Sequence, residues 1–230
     1  MKKNIAKYSL EFVVIIFGIL ISFFLEERRQ NSIEMSRKNN TIKQLISVIQ
    51  EDLKQIDRFI DLQSYSLSSC NLIFENLNNK SSISEDSAIY HLSSIGRGLR
   101  SFFPQEGIFN QLISSDLIKR INSEELKLNL FKLYNEDLKR HDTHAKEFDV
   151  YFLNFNYNLS VKFFLEDEWS WGNKPINIKS YKFNRKYYKS DDMYGDLIEL
   201  KSSMISYIKE LKELKKSYIS LNKLCLKELN

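Results

Sequence analysis

Glycine and proline are scarce in this chain of 230 residues, which contains only 6 glycines and 2 prolines. Sheets and barrels built from many short strands need these residues at their turns, so their scarcity argues against such folds. The hydrophobic fraction of 43% is that of an ordinary folded protein and argues against global disorder. The abundance of Leu, Ile, Lys and Glu favours helices. The composition therefore predicts an all-α fold made of a few long elements, with length enough for one sizeable domain and an anchor.

Cysteine and a large excess of one charge sign are also lacking. The two cysteines, Cys70 and Cys225, do not fix a redox compartment by themselves. The net charge is only +4, whereas a dedicated nucleic-acid binder needs a concentrated basic face. We therefore expect no nucleic-acid partner.

The short motifs of well-known catalytic sites are missing from the sequence. It contains no Gly-rich phosphate loop, no paired CxxC, no HExxH and no nucleophile elbow. Ser114, Ser115 and Asp116 have no histidine near them in sequence, and a turn between two helices is the better interpretation. The sequence predicts no cofactor and a protein that is not an enzyme.

One uncharged apolar run, FVVIIFGILISFFL, lies near the N-terminus between residues 12 and 25. Together with residues 8–11 it reaches roughly the minimum length that spans ~30 Å of hydrocarbon at ~1.5 Å per residue. A cleaved signal peptide is one alternative, but the end of the run offers no small-x-small cleavage site. A buried core helix is the other, although an all-round apolar surface is unusual so close to a chain end. We predict a tail and transmembrane anchor in residues 1–27, with apolar positions that include Phe12, Ile16, Gly18, Leu20 and Phe24.

The charges that flank this anchor bear on its orientation. Three lysines precede the apolar run and four basic residues follow it between residues 28 and 38, so the two sides nearly tie under the positive-inside rule. A short basic tail before a first apolar segment usually stays in the cytoplasm. This predicts a single-pass protein of the bacterial cytoplasmic membrane with its soluble part outside. Gly18 and Ser22 form a small-xxx-small pair that would let two anchors approach closely.

Two apolar seams at opposite ends of the soluble part predict a pair of long helices. Their spacing alternates between four and three residues, which is typical of a helix packed against a partner helix. The first seam consists of Ile42, Ile46, Ile49, Leu53, Ile56, Ile60 and Leu67, and the second of Tyr207, Leu211, Leu214, Tyr218, Leu221 and Cys225. We predict that the anchor continues as one helix to about Asn76 and packs antiparallel against a last helix from about Asp192 to Leu229. Cys70 and Cys225 would then lie tens of Å apart as unpaired thiols, with Cys225 a small core residue.

Shorter helices are predicted between the two seams. Ser84 is expected to cap a second helix that ends at Gly96 and Gly98, and residues 105–113 are expected to form a short third one. Asn122, with Glu125 three residues later, is expected to cap a long helix that reaches residue 159 or 164.

The segment from about residue 166 to residue 191 is the least helical part of the sequence. It is predicted to be a short strand or an aromatic-rich loop inserted into the helical soluble domain 28–230. The soluble domain as a whole is predicted to be an antiparallel helical bundle.

Two sequence blocks carry a family resemblance. The block KYSLEFVVIIFGILISFFLEERR contains a Tyr, a Glu and an apolar run with a Gly, and GIFNQLISSDLIKRINSEELKLNLFKLYN contains an aromatic residue, a Ser pair and a helix ending in Tyr. They resemble a family of uncharacterised bacterial single-pass membrane proteins, a domain of unknown function. The matching positions are Tyr8, Glu11, Gly18, Phe109, Leu112, Ser114, Ser115, Leu117, Ile121 and Tyr134. The family often has Gly where Asp116 stands. The resemblance covers about a quarter of the chain; it implies an anchored helical protein, brings no activity, and implies packing and turn roles for the motif residues.

Asp137, His141 and His144 form a candidate metal site. Their spacing of four and three places them on one face of a helix, and two histidines three residues apart can bind one transition metal. The alternative interpretation is a solvated helix face.

A second candidate is a basic patch of Lys182, Arg185, Lys186 and Lys189, interleaved with aromatic residues. Such a patch could bind anionic lipid headgroups, a nucleic acid strand or an acidic partner. The alternative is a solvated loop whose aromatic rings turn into the domain.

The anchor and the two seams, without a catalytic constellation, predict a non-enzymatic interaction or sensory module of the bacterial envelope. Its expected partners are the lipid bilayer and either a second copy or another membrane protein. One alternative is a ligand-sensing bundle with a pocket lined by Phe152, Phe155, Tyr157 and Trp169, which would signal through a partner. A membrane-acting effector is another alternative.

Overall fold

The computed structural model describes residues 2–98, 100–168 and 176–229, and within these ranges it describes the side chains from residue 11 onward. The fold is helical apart from one short β-hairpin, which confirms the predicted all-α class. The elements in chain order are α1 (Lys2–Leu77), α2 (Glu85–Gly98), α3 (Gly107–Ser114), a 3₁₀ turn η1 (Leu117–Arg120), α4 (Glu124–Lys132), a π-helical segment (Leu133–Asp137), α5 (Leu138–Phe163), β1 (Glu166–Glu168), β2 (Asn177–Ser180), α6 (Arg185–Tyr188) and α7 (Asp191–Leu229).

The long helices form an up-down-up-down bundle of four helical segments. α1 runs up, α2 and α3 run down along it, α4 and α5 run up again, and α7 returns beside α1. The antiparallel pairing of α1 with α7 is visible in three contacts that ascend α1 as they descend α7. Lys38 meets Glu228 at 2.7 Å, the Tyr218 hydroxyl donates to Asp52 at 3.0 Å, and the Cys70 thiol lies 3.7 Å from the Leu197 carbonyl oxygen.

The core of the bundle follows the predicted seams. All six seam residues of α7 are buried, and the seam of α1 is buried at Ile42, Ile46, Ile49 and Ile56 and partly buried at its other positions. Cys70 and Cys225 are free and fully buried in this core, as predicted. Burial raises the pKa of both thiols to about 12, so neither is a reactive thiolate at neutral pH.

The end of α2 differs from the prediction. Gly96 and Gly98 do not break the helix, which continues to Gly98. They are small because α2 packs very close to its neighbours: a Cβ at Gly96 would collide with the Asn156 side chain, and one at Gly98 with Ser66. The predicted cap at the other end is confirmed, since the Ser84 hydroxyl accepts from the Ser87 backbone N–H at 3.1 Å.

The turn between α3 and α4 contains one backbone position in the left-handed region. Asp116, at φ 58°, precedes η1, and a conformation of this kind favours glycine over residues with a Cβ. The cap of α4 is Ser123, whose hydroxyl accepts from the Leu126 N–H at 3.1 Å. The prediction of Asn122 as the cap was therefore wrong by one residue, because two adjacent polar residues both suit an N-cap.

The π-helical segment joins α4 to α5 and was not predicted. Buried residues on this stretch include Leu126, Leu130, Tyr134 and Leu138, each four residues after the one before, and Leu133 beside them. In a regular α-helix every step of four turns the side chain by about 40° beyond a full turn, so the apolar face would drift away from the core. A π turn takes up the extra residue and returns His141 and Phe148 to the core side.

The predicted insertion is a two-stranded antiparallel hairpin followed by the short helix α6. β1 pairs with β2 between Glu166 and Ser180 with an irregular register. The structure therefore favours a strand over an irregular loop for its described part. Trp169 and Trp171 lie outside the described residues.

The N-terminal part of α1 projects from the bundle. α1 crosses the predicted boundary between residues 27 and 28 without interruption, and every described side chain from residue 11 to residue 33 is exposed. The first tertiary contact of this part is at Asn31, whose side-chain oxygen accepts from Arg120 at 3.2 Å. Burial begins at Glu34 and Met35, and the first fully buried side chain on the described part of α1 is Lys38. Within the residues that the structure describes, no helix offers a stretch both long enough and apolar enough to cross a membrane.

Candidate functional site

Two histidines of α5 share one carboxylate of α7. His141 Nδ1 lies 2.8 Å from one oxygen of Glu210, and His144 Nδ1 lies within hydrogen-bond distance of the other. His141 is buried, whereas about half of the His144 side chain is exposed. The spacing of three residues puts both rings on the face of α5 that packs against α7. Glu210 therefore links a core imidazole to a surface imidazole.

The second nitrogen of His141 faces two oxygens inside the core. Nε2 lies 3.2 Å from the Phe102 carbonyl oxygen and 3.3 Å from the Tyr207 hydroxyl, which also accepts from the Phe102 N–H at 2.9 Å. Tyr207 can donate to Nε2 when the ring is neutral, and Nε2–H can donate to Phe102 when the ring is charged. Nε2 of His141 thus has a hydrogen-bond partner whether it accepts or donates.

Aromatic packing fixes this arrangement. The Tyr207 ring stacks on His141 with centroids 5.4 Å apart, and Phe148 stacks on the other side of Tyr207 at 4.6 Å. Burial raises the pKa of the Tyr207 hydroxyl, so it stays a protonated donor at neutral pH. The stack holds the imidazole plane and the hydroxyl in fixed positions.

The charge of Glu210 is set by two opposing effects. Burial alone would raise the pKa of this carboxyl group, but the hydrogen bonds from His141 and His144 outweigh burial and hold the pKa below its ordinary value. Glu210 is therefore ionised at neutral pH and accepts from both rings.

An open groove of about 350 Å³ lies beside this cluster, between α5 and α7. It is lined by hydroxyls, carboxylates and aromatic rings, among them His144, Glu147, Tyr151, Ser203, Ser206 and Glu210. Because its lining includes the carboxylates of Glu147 and Glu210, a ligand that suits it carries a positive charge or several hydrogen-bond donors.

The predicted metal set is only partly brought together. His141 and His144 meet at Glu210, but Asp137 belongs to the π-helical segment, where it accepts from the Ser217 hydroxyl at 3.4 Å. Among the residues that the structure describes, no group of three or more His, Cys, Asp and Glu side chains is placed to hold a metal ion. Sequence reasoning missed Glu210 because it lies 66 residues beyond His144, and only the packing of α7 against α5 brings it there.

The predicted basic patch lies on and around α6. Lys182, Arg185, Lys186 and Lys189 are all exposed, and Arg185 pairs with Glu85 of α2 at 2.6 Å. The aromatic residues between them turn inward, with Tyr188 buried and Phe183 and Tyr187 packed against the core, which favours the alternative of a solvated loop.

A cavity of about 550 Å³ adjoins this patch. Its lining includes Lys80, Arg185 and Lys189 but also Glu85, so the cavity is not uniformly basic. The mixed lining gives it no clear preference for an anion.

The predicted ligand pocket of aromatic residues is not formed. Phe155 is buried in the core, whereas Tyr157, two residues later on the same helix, is 67% exposed on the opposite face. Residues two apart on an α-helix point in nearly opposite directions, so these two rings cannot line one pocket. Trp169 lies outside the described residues.

The predicted anchor residues are exposed along α1. Phe12, Ile16, Leu20 and Phe24 are each 39–64% exposed, and Gly18 has nothing within 4 Å of the position that a Cβ would take. The Ser22 hydroxyl donates to the Gly18 carbonyl oxygen at 2.8 Å, so this hydroxyl has its hydrogen-bond partner within the helix.

In comparisons of sequence and fold, the chain matches no family model, no curated protein and no solved structure.

Proposed function

We propose that this protein is a membrane-anchored helical bundle that acts as a non-enzymatic interaction or sensory module of the bacterial envelope. One observation carries the proposal: the large apolar side chains between Phe12 and Leu25 are 39–70% exposed around the whole circumference of α1. The same helix becomes a core element of the bundle further along the chain. One continuous helix therefore joins an apolar rod to a folded domain.

The energetics of this exposed rod favour lipid as its environment. Twelve large apolar side chains are exposed between residues 12 and 25. At about 1.5–3 kcal/mol for each side chain, their transfer from water to hydrocarbon gains on the order of 20 kcal/mol. That exceeds the usual free energy of folding of a whole domain, about 5–15 kcal/mol.

The apolar run is shorter than a full membrane span, so the proposed anchor requires the bilayer to adapt to it. Phe12–Leu25 covers ~21 Å of helix, and the sequence from Tyr8 extends this to ~27 Å, close to the ~30 Å hydrocarbon core. Local thinning of the bilayer and snorkelling of Arg28 and Arg29 can make up the difference.

The basic N-terminal tail supports a cytoplasmic N-terminus, which would place the bundle on the outer side of the cytoplasmic membrane. The resemblance to a family of anchored helical proteins points the same way and stays a prediction.

Fractionation of cells that express the full-length chain tests the anchor. We expect the chain in the membrane fraction, resistant to alkaline carbonate and released by detergent. A variant lacking residues 1–27 should be recovered without detergent. A second variant with Ile16→Arg and Leu20→Arg keeps the chain length and the bundle but places two charges at the centre of the proposed span. It should therefore also lose carbonate resistance. Recovery of the intact full-length chain in the soluble fraction would contradict the proposal.

A ligand-sensing bundle is the second candidate function, and the groove beside His144 and Glu210 is the observation that favours it. A small cationic ligand would meet carboxylates, hydroxyls and aromatic faces there. A thermal-shift screen of small amines and cationic metabolites, compared between the wild type and Glu147→Gln, would test this role. A shift that is equal in both proteins would argue against the groove as the site.

A further inference from the structure

A strip of exposed apolar side chains runs along the outer face of α5. Val150, Leu153, Tyr157, Val161 and Phe164 are each between 44% and 67% exposed. The inward face of the same helix carries a separate set of buried residues, Phe148, Phe155, Leu159 and Phe163. α5 is thus apolar on two faces, and only one of them is buried in the bundle.

The spacing within the strip is that of a helix-packing seam. Within α5, Val150, Leu153, Tyr157 and Val161 follow one another at intervals of three, four and four residues, so they stay within about 80° of one another around the helix. Phe164 comes directly after the end of the helix, at φ 49°. An interval of eleven residues, from Val150 to Val161, matches a straight helix almost without drift. Such a seam suits a second straight helix laid alongside it over ~20 Å.

The charges around the strip indicate which kind of partner can cover it. Between residues 150 and 164 the sequence contains no acidic residue and one basic residue, Lys162, whose ammonium group lies 5.6 Å from the Tyr187 ring. The polar neighbours of the strip are uncharged, among them Asn154 and Ser160. Lys182 lies at the end of the strip, with its ammonium group 6.0 Å from the Phe164 ring. Residues 150–161 carry no charge, so two identical faces can meet there without like-charge repulsion, whereas an anionic lipid or nucleic acid surface would find few cations along the helix.

The position of the strip within an anchored chain excludes the bilayer as its cover, and this step rests on the proposed function. Asn158 of α5 contacts Asp196 of α7 at 3.4 Å, and the next residue of α7, Leu197, contacts Cys70 of α1. Cys70 lies 45 residues beyond Leu25, which is roughly 68 Å along a continuous helix. The strip is therefore far from the membrane surface.

We propose that this strip is the surface through which two copies of the chain pair, with their α5 helices parallel about a two-fold axis along the membrane normal. Copies anchored in one membrane present their strips at the same height and in the same direction, which a parallel two-fold contact requires. At ~150–200 Å² for each whole side chain, the strip exposes roughly 500 Å². Two strips bury about 1,000 Å², near the smallest area of a specific interface. Anchoring offsets this modest area by raising the local concentration.

The same geometry keeps the two anchors apart. α1 packs on α2, α3 and α7, while α5 packs on α2 and α7 at the opposite corner of the bundle. Pairing through α5 places the two α1 helices on the outside of the dimer. Pairing through the small residues Gly18 and Ser22 would require the opposite arrangement, so the two modes give different crosslinking patterns.

Cysteine crosslinking of the full-length chain in native membranes tests the pairing. Leu153→Cys and Tyr157→Cys lie on the proposed two-fold seam, and each should give a disulfide-linked dimer under mild oxidation. The matched control is Ile198→Cys on α7, which is at a similar height and 50% exposed and should stay monomeric. Ser32→Cys on the exposed part of α1 should also stay monomeric. The native Cys70 and Cys225 are buried and should not contribute.

A second substitution tests whether the strip itself drives the contact. Val161→Asp added to Leu153→Cys places two like charges across the axis and should lower the dimer yield about tenfold or more. Dimer yields at residues 153 and 157 no higher than at residue 198 would overturn the proposal. A dimer that forms only with Ser32→Cys would also overturn the proposed pairing through α5. The proposed anchor would still hold in that case if the Ser32→Cys chain is found in the membrane fraction. Recovery in the soluble fraction would overturn the anchor and, with it, the parallel alignment.

Discussion

At the scale of single residues, one buried ion pair ties three elements together at the end of the bundle from which the N-terminal part of α1 projects. Lys38 of α1 and Glu228 of α7 are 2% and 3% exposed and lie 2.7 Å apart. The Glu228 carboxylate also accepts from the backbone N–H groups of Asn122 and Ser123, at 2.9 and 3.0 Å, where α4 begins. Burial would raise the pKa of Glu228, but these hydrogen bonds outweigh it and hold the pKa below its ordinary value.

Removing the lysine from this pair should be strongly destabilising. We expect Lys38→Met to lower the free energy of unfolding by about 3–5 kcal/mol, because it leaves the Glu228 carboxylate buried without its countercharge. The double variant Lys38→Met with Glu228→Gln should recover a large part of that loss. Denaturant unfolding of the detergent-solubilised chain measures both. Lys43→Met, at an exposed position of α1, is the control, and an equal loss there would contradict the role of the pair.

The carboxylate between the two histidines predicts a dependence of stability on pH. Since the folded pKa of Glu210 lies below its ordinary value, its contribution is fully present above the ordinary glutamate pKa and is lost as the pH falls through the lowered folded value. The wild type should therefore lose more stability between pH 5 and pH 3 than Glu210→Gln does. Unfolding midpoints measured across that range compare the two proteins. If the unfolding midpoints of the two proteins change equally with pH, the pKa of Glu210 does not differ between the folded and unfolded states.

At the scale of elements, the contact of α2 with α1 depends on small residues. The Ser66 hydroxyl donates to the Ser94 carbonyl oxygen at 2.8 Å, and Gly98 leaves no room for a Cβ against Ser66. This close packing differs from the α1–α7 seam, where large aliphatic and aromatic side chains fill the space. Glycine is therefore required at position 98, where α2 touches α1. A helical glycine can be replaced where an added Cβ would meet no other atom.

Two glycine substitutions should have opposite signs. Gly98→Ala should lower the free energy of unfolding by about 1–3 kcal/mol, because the added methyl group forces α2 away from α1. Gly195→Ala should raise it by roughly 0.5–1 kcal/mol, since a Cβ there meets nothing within 4 Å and alanine favours the helix. Thermal unfolding of the two variants beside the wild type measures the pair. Destabilisation of equal size in both would contradict this account.

At the scale of the whole molecule, α1 has two environments along one uninterrupted helix. Its described side chains up to residue 33 are exposed, while from Lys38 onward one face belongs to the core of the bundle. The bundle should thus fold without the apolar part of α1, which contributes no buried side chain to the core among the described residues. The outer strip of α5 gives the same molecule a second apolar surface at its far end.

Truncation from the N-terminus should show where the bundle begins. Removal of residues 1–27 should change the free energy of unfolding by less than ~0.5 kcal/mol, because no buried contact is lost. Removal of residues 1–45 deletes Lys38, Ile42 and Leu45 from the core and should cost several kcal/mol. Chemical unfolding without detergent compares the two fragments. A large loss on the first truncation would mean that the exposed part of α1 packs on the bundle.

Much of the fold followed from local patterns in the chain. The four-three spacing fixed the two long helices and their antiparallel pairing, because each apolar stripe needs a partner to leave water. It also predicted the free thiols. The proposal of an anchor at Phe12, Ile16, Gly18, Leu20 and Phe24 rests on hydropathy alone and stays a prediction.

Other features were decided only when the helices packed. The sequence alone determined where apolar faces lie along each helix, since that depends on periodicity within one element. It could not show that Glu210 joins His141 to His144, that Gly98 allows a close contact, or that the strip from Val150 to Phe164 stays uncovered. Each of these depends on which residues of distant elements come within a few Å of one another, and that is set by the packing of four helices against each other.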